Sequence, residues 1–204
     1  MCMHHRRDGS DDAMVDFGFT EVALTPGTHV CQIYENDDER TDVFVRFLLK
    51  GLQLHELSAG FSDVLEAADF EPYVSDTYEP GSLQLSRASD AYFYNNRFDP
   101  DHMLDLLTEF HERSIGSEYT GGRVIGEMAP EIREMDGSER LLEYEARVNM
   151  LLRDHPMTVM CQYNAHSFSG STLMDVLKAH ALMVVRGTIV RNPFYVPPET
   201  LLGK

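Results

Sequence analysis

The chain has 204 residues, of which 43% are hydrophobic and 25% are charged, a composition that excludes a fully disordered protein and suits one large domain. It contains no secretory signal segment and no run of about 18 apolar residues, so we expect no membrane association and a cytoplasmic location. With 34 acidic and 17 basic residues its formal net charge is −17, which repels phosphate backbones and argues against direct nucleic-acid binding.

The first residues are polar, and we predict a flexible acidic tail over 1–20 followed by a single domain over 21–204. Within the domain, strand-like and helix-like segments alternate. The predicted strands are 28–34, 82–88, 122–128, 157–163 and 182–190. The first predicted helix comes after the turn-prone run 35–38 and has Gly51 as its stop. The others follow Asp99 up to Gly116, run from about Ser138 to His155, and start near Ser169.

The segment 55–80 is the least informative, although DVLEAADF at 63–70 fits a short helix. Four of the predicted strands are strongly apolar and are separated by helices. This order predicts a three-layer α/β fold, with a mostly parallel sheet covered by helices on both faces.

The common motifs of enzymes with this type of fold are absent. The sequence has no G-x-x-x-x-G-K-[ST] loop, G-x-G-x-x-G, G-x-S-x-G, H-E-x-x-H or C-x-x-C. A phosphate-binding loop needs glycines for close backbone approach and a lysine for the phosphates. We therefore predict that the chain does not bind ATP productively.

Ligands of parallel α/β sheets bind beyond the carboxyl ends of the strands. The residues predicted at those ends are Tyr34, Glu35, Glu127, Met128, Tyr163, Asn164 and Asn192. We expect Tyr34, Glu127, Tyr163 and Asn192 to converge there, as a site for a small, partly apolar ligand. The alternative is that the tyrosines cap the core and the polar residues serve turns. For Glu127, an ion pair with Arg123 or Arg147, or a role as ligand anchor, is favoured over a catalytic role.

A second set of residues has the chemistry of zinc ligands: His29, Cys31, Cys161 and His180. Their long-range spacing carries no local motif, so core packing is the favoured interpretation and metal binding is the alternative. The sequence defines no cofactor. Three cysteines cannot build a disulfide framework, which fits a reducing compartment.

Eight motifs in register resemble the MEDS family, the methanogen/methylotroph sensory domain, over about residues 27–198. They are HVCQIYENDDE (29–39), FLLKGL (47–52), GSLQL (81–85), YFYNNRFDPDHML (92–104), GGRVIGEM (121–128), LLEYEARVN (141–149), CQYNAHSF (161–168) and NPFYVPP (192–198). The resemblance implies a RecA/KaiC-like core without its phosphate loop, and a sensor of small hydrocarbon derivatives that works with an output domain. The positions that match family motifs are His29, Cys31, Tyr34, Glu127, Glu145, Cys161, Tyr163 and Asn192.

This resemblance favours a stand-alone sensory module rather than an enzyme. Because the sequence ends just after the last motif, we expect a separate output protein, either a kinase or a transcription regulator, and a homo-oligomer is compatible with the pattern. The alternatives are a metal-binding protein or enzyme using Glu127 and the Cys/His set, and a scaffold whose pocket has closed. The segment HELSAGFSDVLEA departs from the family, which usually has a second apolar strand there.

The acidic excess is accompanied by a scarcity of lysine, since only Lys50, Lys178 and Lys204 are present. This combination is typical of proteins from a high-salt cytoplasm and suggests a halophilic archaeal origin. The alternative is an acidic protein from a GC-rich genome.

Overall fold

The computed structural model describes residues 14–65, 70 and 78–203. The strands are β1 Val15–Asp16, β2 Ala23–Leu24, β3 His29–Tyr34, β4 Leu57–Phe61, β5 Leu83–Ser86, β6 Phe93–Tyr94, β7 Arg97–Phe98, β8 Gly122–Glu127, β9 Thr158–Asn164, β10 Leu182–Val185 and β11 Thr188–Arg191. The helices are α1 Asp37–Gln53, α2 Ala88–Tyr92, α3 Pro100–Ile115, α4 Leu141–Asp154, α5 Gly170–Ala179 and α6 Pro198–Leu201, with 3-10 turns at Pro130–Glu134 and Ser138–Arg140.

Seven strands form the central sheet, in the order β11-β10-β3-β9-β8-β4-β5. All neighbouring pairs are parallel except β10 with β11. Strands β3, β8 and β9 are buried along almost their whole length, as expected of parallel strands covered on both faces. The predicted mostly parallel α/β fold is confirmed.

Helices cover the two faces of the sheet. On one face, Phe44 and Phe47 of α1 share a hydrophobic cluster with Ile125 of β8. On the other, helices α3, α4 and α5 belong to a second cluster, in which Val148 of α4 joins Val159 of β9. The result is the predicted three-layer arrangement.

Side-chain caps define where three of the helices begin. The side chain of Asn36 accepts a hydrogen bond from the Glu39 amide at the start of α1, and Asp99 and Ser169 cap α3 and α5 in the same way. The predicted bounds of α3, from Asp99 to Gly116, are confirmed.

Strand β4 was not predicted, yet it lies inside the sheet between β8 and β5. Its central residues Ser58, Ala59 and Gly60 are small and have weak strand propensity. Gly60 is required by packing, because a Cβ there would lie 2.8 Å from Phe44 Cζ. The predicted helix at 63–70 falls largely outside the described residues.

The predicted tail over 1–20 is too long. Val15, Phe17 and Phe19 are buried in the same hydrophobic cluster as α1. The segment was not recognised as buried, because its apolar residues are not consecutive: Asp16 and Gly18 lie between them. Residues 14–20 are therefore part of the folded unit.

The predicted strand 182–190 is a hairpin. Arg186 and Gly187 both have positive φ, at 49° and 72°, and reverse the chain between β10 and β11. As a consequence, β11 runs antiparallel and ends at the amino-terminal edge of the parallel strands. No helix in the described part of the chain is both long and apolar enough to cross a membrane.

Candidate functional site

Two predicted ligand residues meet at the carboxyl edge of the sheet. The Tyr34 hydroxyl, at the end of β3, donates a hydrogen bond of 2.5 Å to Glu127 Oε1, at the end of β8. Arg40, in the first turn of α1, donates from Nη1 to both Glu127 oxygens, at 3.1 and 3.3 Å. Ser62, just after β4, donates to Glu127 Oε2 at 2.8 Å. We call Tyr34, Arg40, Ser62 and Glu127 the carboxyl-edge cluster.

This cluster is an ion pair removed from solvent. Arg40 is 2% exposed and Glu127 is 8% exposed. Burial of an ion pair is tolerated only where hydrogen bonds satisfy both partners, and here both carboxylate oxygens accept them. The surroundings also act on the phenol: burial, and then the neighbouring Glu127, raise the pKa of Tyr34. A carboxylate held in this way is an ion-pair partner, as predicted, rather than a free general base.

The partner of Glu127 is not one of the two predicted arginines. Arg123 is at the opposite end of β8 and pairs with Glu56. Arg147 lies on α4 and pairs with Asp101 and Glu143. Arg40 takes the role because the turn from β3 into α1 places the first turn of the helix over the end of the strand. In the sequence, Arg40 is one of several charged residues at the start of α1, and nothing there distinguishes it as the partner of Glu127.

Beside the cluster, two glutamines lie side by side on neighbouring strands. Gln162 Nε2 donates to Gln32 Oε1 at 2.7 Å and to the Arg40 carbonyl at 3.1 Å. Three buried polar atoms here have no hydrogen-bond partner among the described residues: Arg40 Nε, Gln32 Nε2 and Gln162 Oε1. This part of the carboxyl edge therefore has unused capacity for polar contacts.

The other predicted ligand residues do not join this cluster. Glu35 is exposed, and Met128 is buried in the hydrophobic cluster on the opposite face. Asn164 Oδ1 accepts from the His166 amide at 2.8 Å, which is a turn contact, and the Asn164 side chain is also close enough to Tyr34 to act on its hydroxyl. Tyr163 also points to the opposite face, where its hydroxyl donates to Glu145.

Asn192 lies at the other end of the sheet, because it follows the antiparallel strand β11. Its Nδ2 donates to the carbonyls of Leu177 and His180, at 2.6 and 2.7 Å. The predicted convergence is thus wrong for Asn192, which lies at the other end of the sheet. Tyr163 lies at the predicted end, near the end of β9, but its hydroxyl points to the opposite face. For these two, the alternative that they serve packing and turns fits the contacts.

A second polar cluster is buried on the α4 side of the sheet, and we call it the donor cluster: His29, Glu145, Cys161 and His180. One ligand-type atom of each lies within 4.8 Å of all the others. His29 Nε2 is 3.3 Å from Cys161 Sγ, 3.0 Å from His180 Nε2 and 3.3 Å from Glu145 Oε2. His180 Nε2 is 3.4 Å from the same carboxylate oxygen.

Burial shapes the acid–base properties of this cluster. Desolvation, and then the neighbouring His180, lower the pKa of His29 to about 3. Burial and the charge of Glu145 raise the pKa of the Cys161 thiol well above its usual value. For Glu145, burial raises the pKa, but the two histidines and the Tyr163 hydroxyl outweigh it, so that the net shift is downward.

The donor cluster differs from the predicted set in one member. Cys31 is paired in register with Cys161 and is fully buried, yet its thiol is not among the converging atoms. Glu145 of α4 takes its place. The sequence offered one signal for Glu145, its position in the motif LLEYEARVN, which carried no indication of contact with β3 and β9.

A cleft of about 490 Å³ opens at the amino-terminal edge of the sheet. Its lining is mostly apolar, with a few polar groups, and includes Leu54, Glu56, His111, Ile115 and Met157. Sequence reasoning missed this cleft, because only the carboxyl edge was expected to bind ligands.

The fold places the chain in a known class of α/β proteins. The flagellar accessory protein FlaH from Methanocaldococcus jannaschii is similar with a TM-score of 0.56 and 15% identity, over 88% of this chain and 84% of that one. The KaiC-like protein PH0186 from Pyrococcus horikoshii OT3 is similar with a TM-score of 0.56 and 14% identity, over 83% and 78%. At these identities the likeness shows the fold alone: a KaiC-like α/β domain.

The family is defined by sequence. The model of the MEDS family, the methanogen/methylotroph, DcmR sensory domain, matches residues 28–181, and the chain belongs to this family. The transcriptional repressor DcmR from Methylorubrum extorquens is 26% identical over an alignment of 180 residues that covers 83% of this chain and 65% of the repressor. The chain therefore spans less than two thirds of that relative's length.

Proposed function

We propose that this chain is a sensory domain that binds a small molecule in the cytoplasm and passes the binding event by protein contact to a regulator of transcription. Two findings support the proposal. The family is described as a sensory domain, and the relative DcmR is a transcriptional repressor. The enzymatic alternative through Glu127 is weaker, because three side chains already donate to its carboxylate.

The ligand site in this proposal is the carboxyl-edge cluster. The observation that carries it is the buried Arg40–Glu127 pair, placed where the ends of β3, β4 and β8 meet. Parallel α/β sheets bind ligands at this edge. Arg40 Nε and Gln32 Nε2 have no partner among the described residues, and each can donate a hydrogen bond to an oxygen or halogen atom of a ligand.

The cluster also offers a route from binding to signal. Arg40 belongs to the first turn of α1, and its contact with Glu127 ties that turn to β8. A ligand that accepts a hydrogen bond from Arg40, or replaces the donors of Glu127, shifts the start of α1 relative to the sheet. We propose that the exposed residues beside this turn carry the shift to the regulator.

Nucleotide takes no part in this proposal. The turn between β3 and α1 consists of Glu35 and Asn36, and it offers neither glycine nor lysine to a phosphate. Calorimetry with ATP and magnesium should show no binding in the micromolar range. A magnesium-dependent micromolar affinity would contradict this part of the proposal.

The ligand class is tested by a thermal-shift panel of small alcohols, halocarbons and aldehydes. We expect at least one compound to raise the Tm of the wild-type chain and to lose that effect in Glu127→Gln. The matched control is Glu56→Gln, which alters a second buried arginine–glutamate pair, at the opposite edge of the sheet. It should lower the starting Tm while keeping the ligand response.

Location is tested with one further variant. Ile115→Arg changes an exposed residue that lines the amino-edge cleft. It should leave the response unchanged. If Ile115→Arg abolished the response and Glu127→Gln kept it, the ligand site would be the cleft and the proposed location would be wrong.

A further inference from the structure

The donor cluster has the dimensions of a tetrahedral metal site. Four of the six separations among the ligand-type atoms of His29, Glu145, Cys161 and His180 lie between 3.0 and 3.4 Å, and all six lie within 4.8 Å. Zinc bonds of about 2.0 Å to nitrogen or oxygen and about 2.3 Å to sulfur give a tetrahedron with edges of roughly 3.3–3.5 Å. Small movements of the side chains bring these atoms to those edges.

The donor cluster has fewer protons than its closely spaced acceptor atoms need for hydrogen bonds. His180 Nδ1 lies 2.8 Å from the Val176 carbonyl, so that nitrogen carries a proton, and in the neutral ring the lone pair is on Nε2. Glu145 Oε2 accepts no hydrogen bond of regular geometry among the described residues, although the Nε2 atoms of His29 and His180 lie 3.3 and 3.4 Å from it. A proton on His29 Nε2 would face Cys161 Sγ, His180 Nε2 and Glu145 Oε2 at once, at 3.0–3.3 Å, and the Cys161 thiol carries the one other proton of the metal-free cluster. A cation at the centre satisfies all of them together.

We propose that His29, Glu145, Cys161 and His180 bind a divalent transition-metal ion of the zinc class. Two neutral imidazoles, one thiolate and one carboxylate balance the charge of a divalent ion, so the buried site becomes neutral. As the metal–sulfur bond forms, the Cys161 thiol gives up its proton to the solvent. The carboxylate favours zinc over the His₂Cys copper sites, whose fourth ligand is a weak thioether or amide.

Two of the four residues have contacts that orient metal ligands, whereas His29 Nδ1 has no hydrogen-bond partner among the described residues. The Tyr163 hydroxyl donates to the second oxygen of Glu145, and the Val176 carbonyl fixes the ring of His180. All four ligand residues are at most 4% exposed. The site is closed, and the ion joins β3, β9, α4 and the end of α5. This inference stands independently of the sensory proposal, which uses the other face of the sheet.

The test measures metal content in the untagged full chain. Protein stripped by a chelator is incubated with Zn²⁺ under reducing conditions, passed through a desalting column and analysed by mass spectrometry for metals. We expect one ion per chain. Substitution with Co²⁺ should add the charge-transfer absorption of a cobalt–thiolate bond.

Cys161→Ser should remove that absorption, and Glu145→Gln should weaken metal retention at least tenfold. Cys31→Ser is the matched control, because it alters an equally buried thiol on the neighbouring strand. A second control, replacing Cys2, His4 and His5 together, removes the other soft ligands at the start of the chain. Both controls should keep one ion and the cobalt–thiolate absorption.

Three outcomes would overturn the proposal. They are a wild-type chain that retains no zinc, a cobalt-loaded wild-type chain without thiolate absorption, and loss of the ion in either control but not in Glu145→Gln. If Cys161→Ser does not fold, the cobalt spectrum of the wild-type chain and the Glu145→Gln result still decide. Ligand responses in the thermal-shift panel do not bear on this result.

Discussion

Gly51 shows how a single residue sets the distance between a helix and the sheet. It lies inside α1 and not at its end, so the prediction that it stops the helix is wrong. A Cβ at this position would lie 2.5 Å from Arg123 Cδ, in the middle of the side chain that pairs with Glu56. Here glycine serves close approach, not helix termination.

Gly51→Ala should therefore lower the free energy of unfolding, by about 1–3 kcal/mol, because overpacking outweighs the gain in helix propensity. The matched control is Gly170→Ala, at the exposed start of α5, where a Cβ meets nothing within 4 Å. That control should raise stability by ~0.5 kcal/mol. Urea unfolding of both variants measures the difference. Equal stabilisation by the two substitutions would show that α1 does not pack this closely.

At the residue scale, the sequence predicted the type of interaction that a side chain makes better than it predicted the residues that take part. Glu127 was expected to form an ion pair, and it does, but Arg40 and Ser62 are 87 and 65 positions away in the chain. Nothing local marks residues that distant as partners. Asn192 was misplaced for a different reason: the prediction depended on the direction of β11, which the turn at Arg186 and Gly187 reverses.

At the scale of elements, an exposed charge cluster joins α3 to α4. Arg147 donates to Asp101 and to Glu143, and Arg140 donates to the same two carboxylates. The hydrogen bond from Arg147 is the main cause of the lowered pKa of Asp101, and that from Arg140 is the main cause for Glu143.

These shifts set the sign of a pH dependence. A carboxyl whose pKa is lowered on folding contributes stability above its unfolded pKa, and that contribution is lost as the pH falls through the folded pKa. Asp101→Asn should cost about 0.5 kcal/mol at neutral pH, since the cluster is solvent-exposed. The difference from wild type should shrink below a pH of about 4. Urea unfolding across this pH range measures it.

Asp105→Asn is the control, because Asp105 is exposed on the same helix and forms no ion pair within the described part of the chain. A loss in Asp105→Asn as large as that in Asp101→Asn would point to net charge rather than to the cluster. So would a difference that stays constant down to acid pH.

Capping residues and hydrophobic periodicity predicted most helices and strands. Strand β4 was not predicted because it has neither a clear periodicity nor β-branched residues. Asp99 before Pro100 and Gly116 after the apolar face gave both ends of α3. Strand β4 has the small residues Ser58, Ala59 and Gly60 where a buried strand usually has branched ones. It is defined by its neighbours on both sides, which local sequence does not encode.

At the scale of the whole molecule, the formal charge of −17 is the dominant feature. Repulsion among surface carboxylates opposes the compact state in dilute buffer, and salt screens it. The screening length falls from about 10 Å at 0.1 M salt to about 3 Å at 1 M. If the acidic surface is a high-salt adaptation, the Tm should climb steeply as potassium chloride rises to molar concentration. A flat Tm over this range would remove that interpretation and favour the GC-rich alternative.

The central claim, that a small molecule binds at the carboxyl edge of a sensory domain, is tested most directly by chemical-shift mapping. The isotope-labelled chain is titrated with the compound of the thermal-shift panel that stabilises it most. The largest changes should fall on the amides of Tyr34, Arg40, Ser62 and Glu127 and fade toward the amino edge. Changes centred on Ile115 and Met157, or no saturable change with any compound of the panel, would contradict the account.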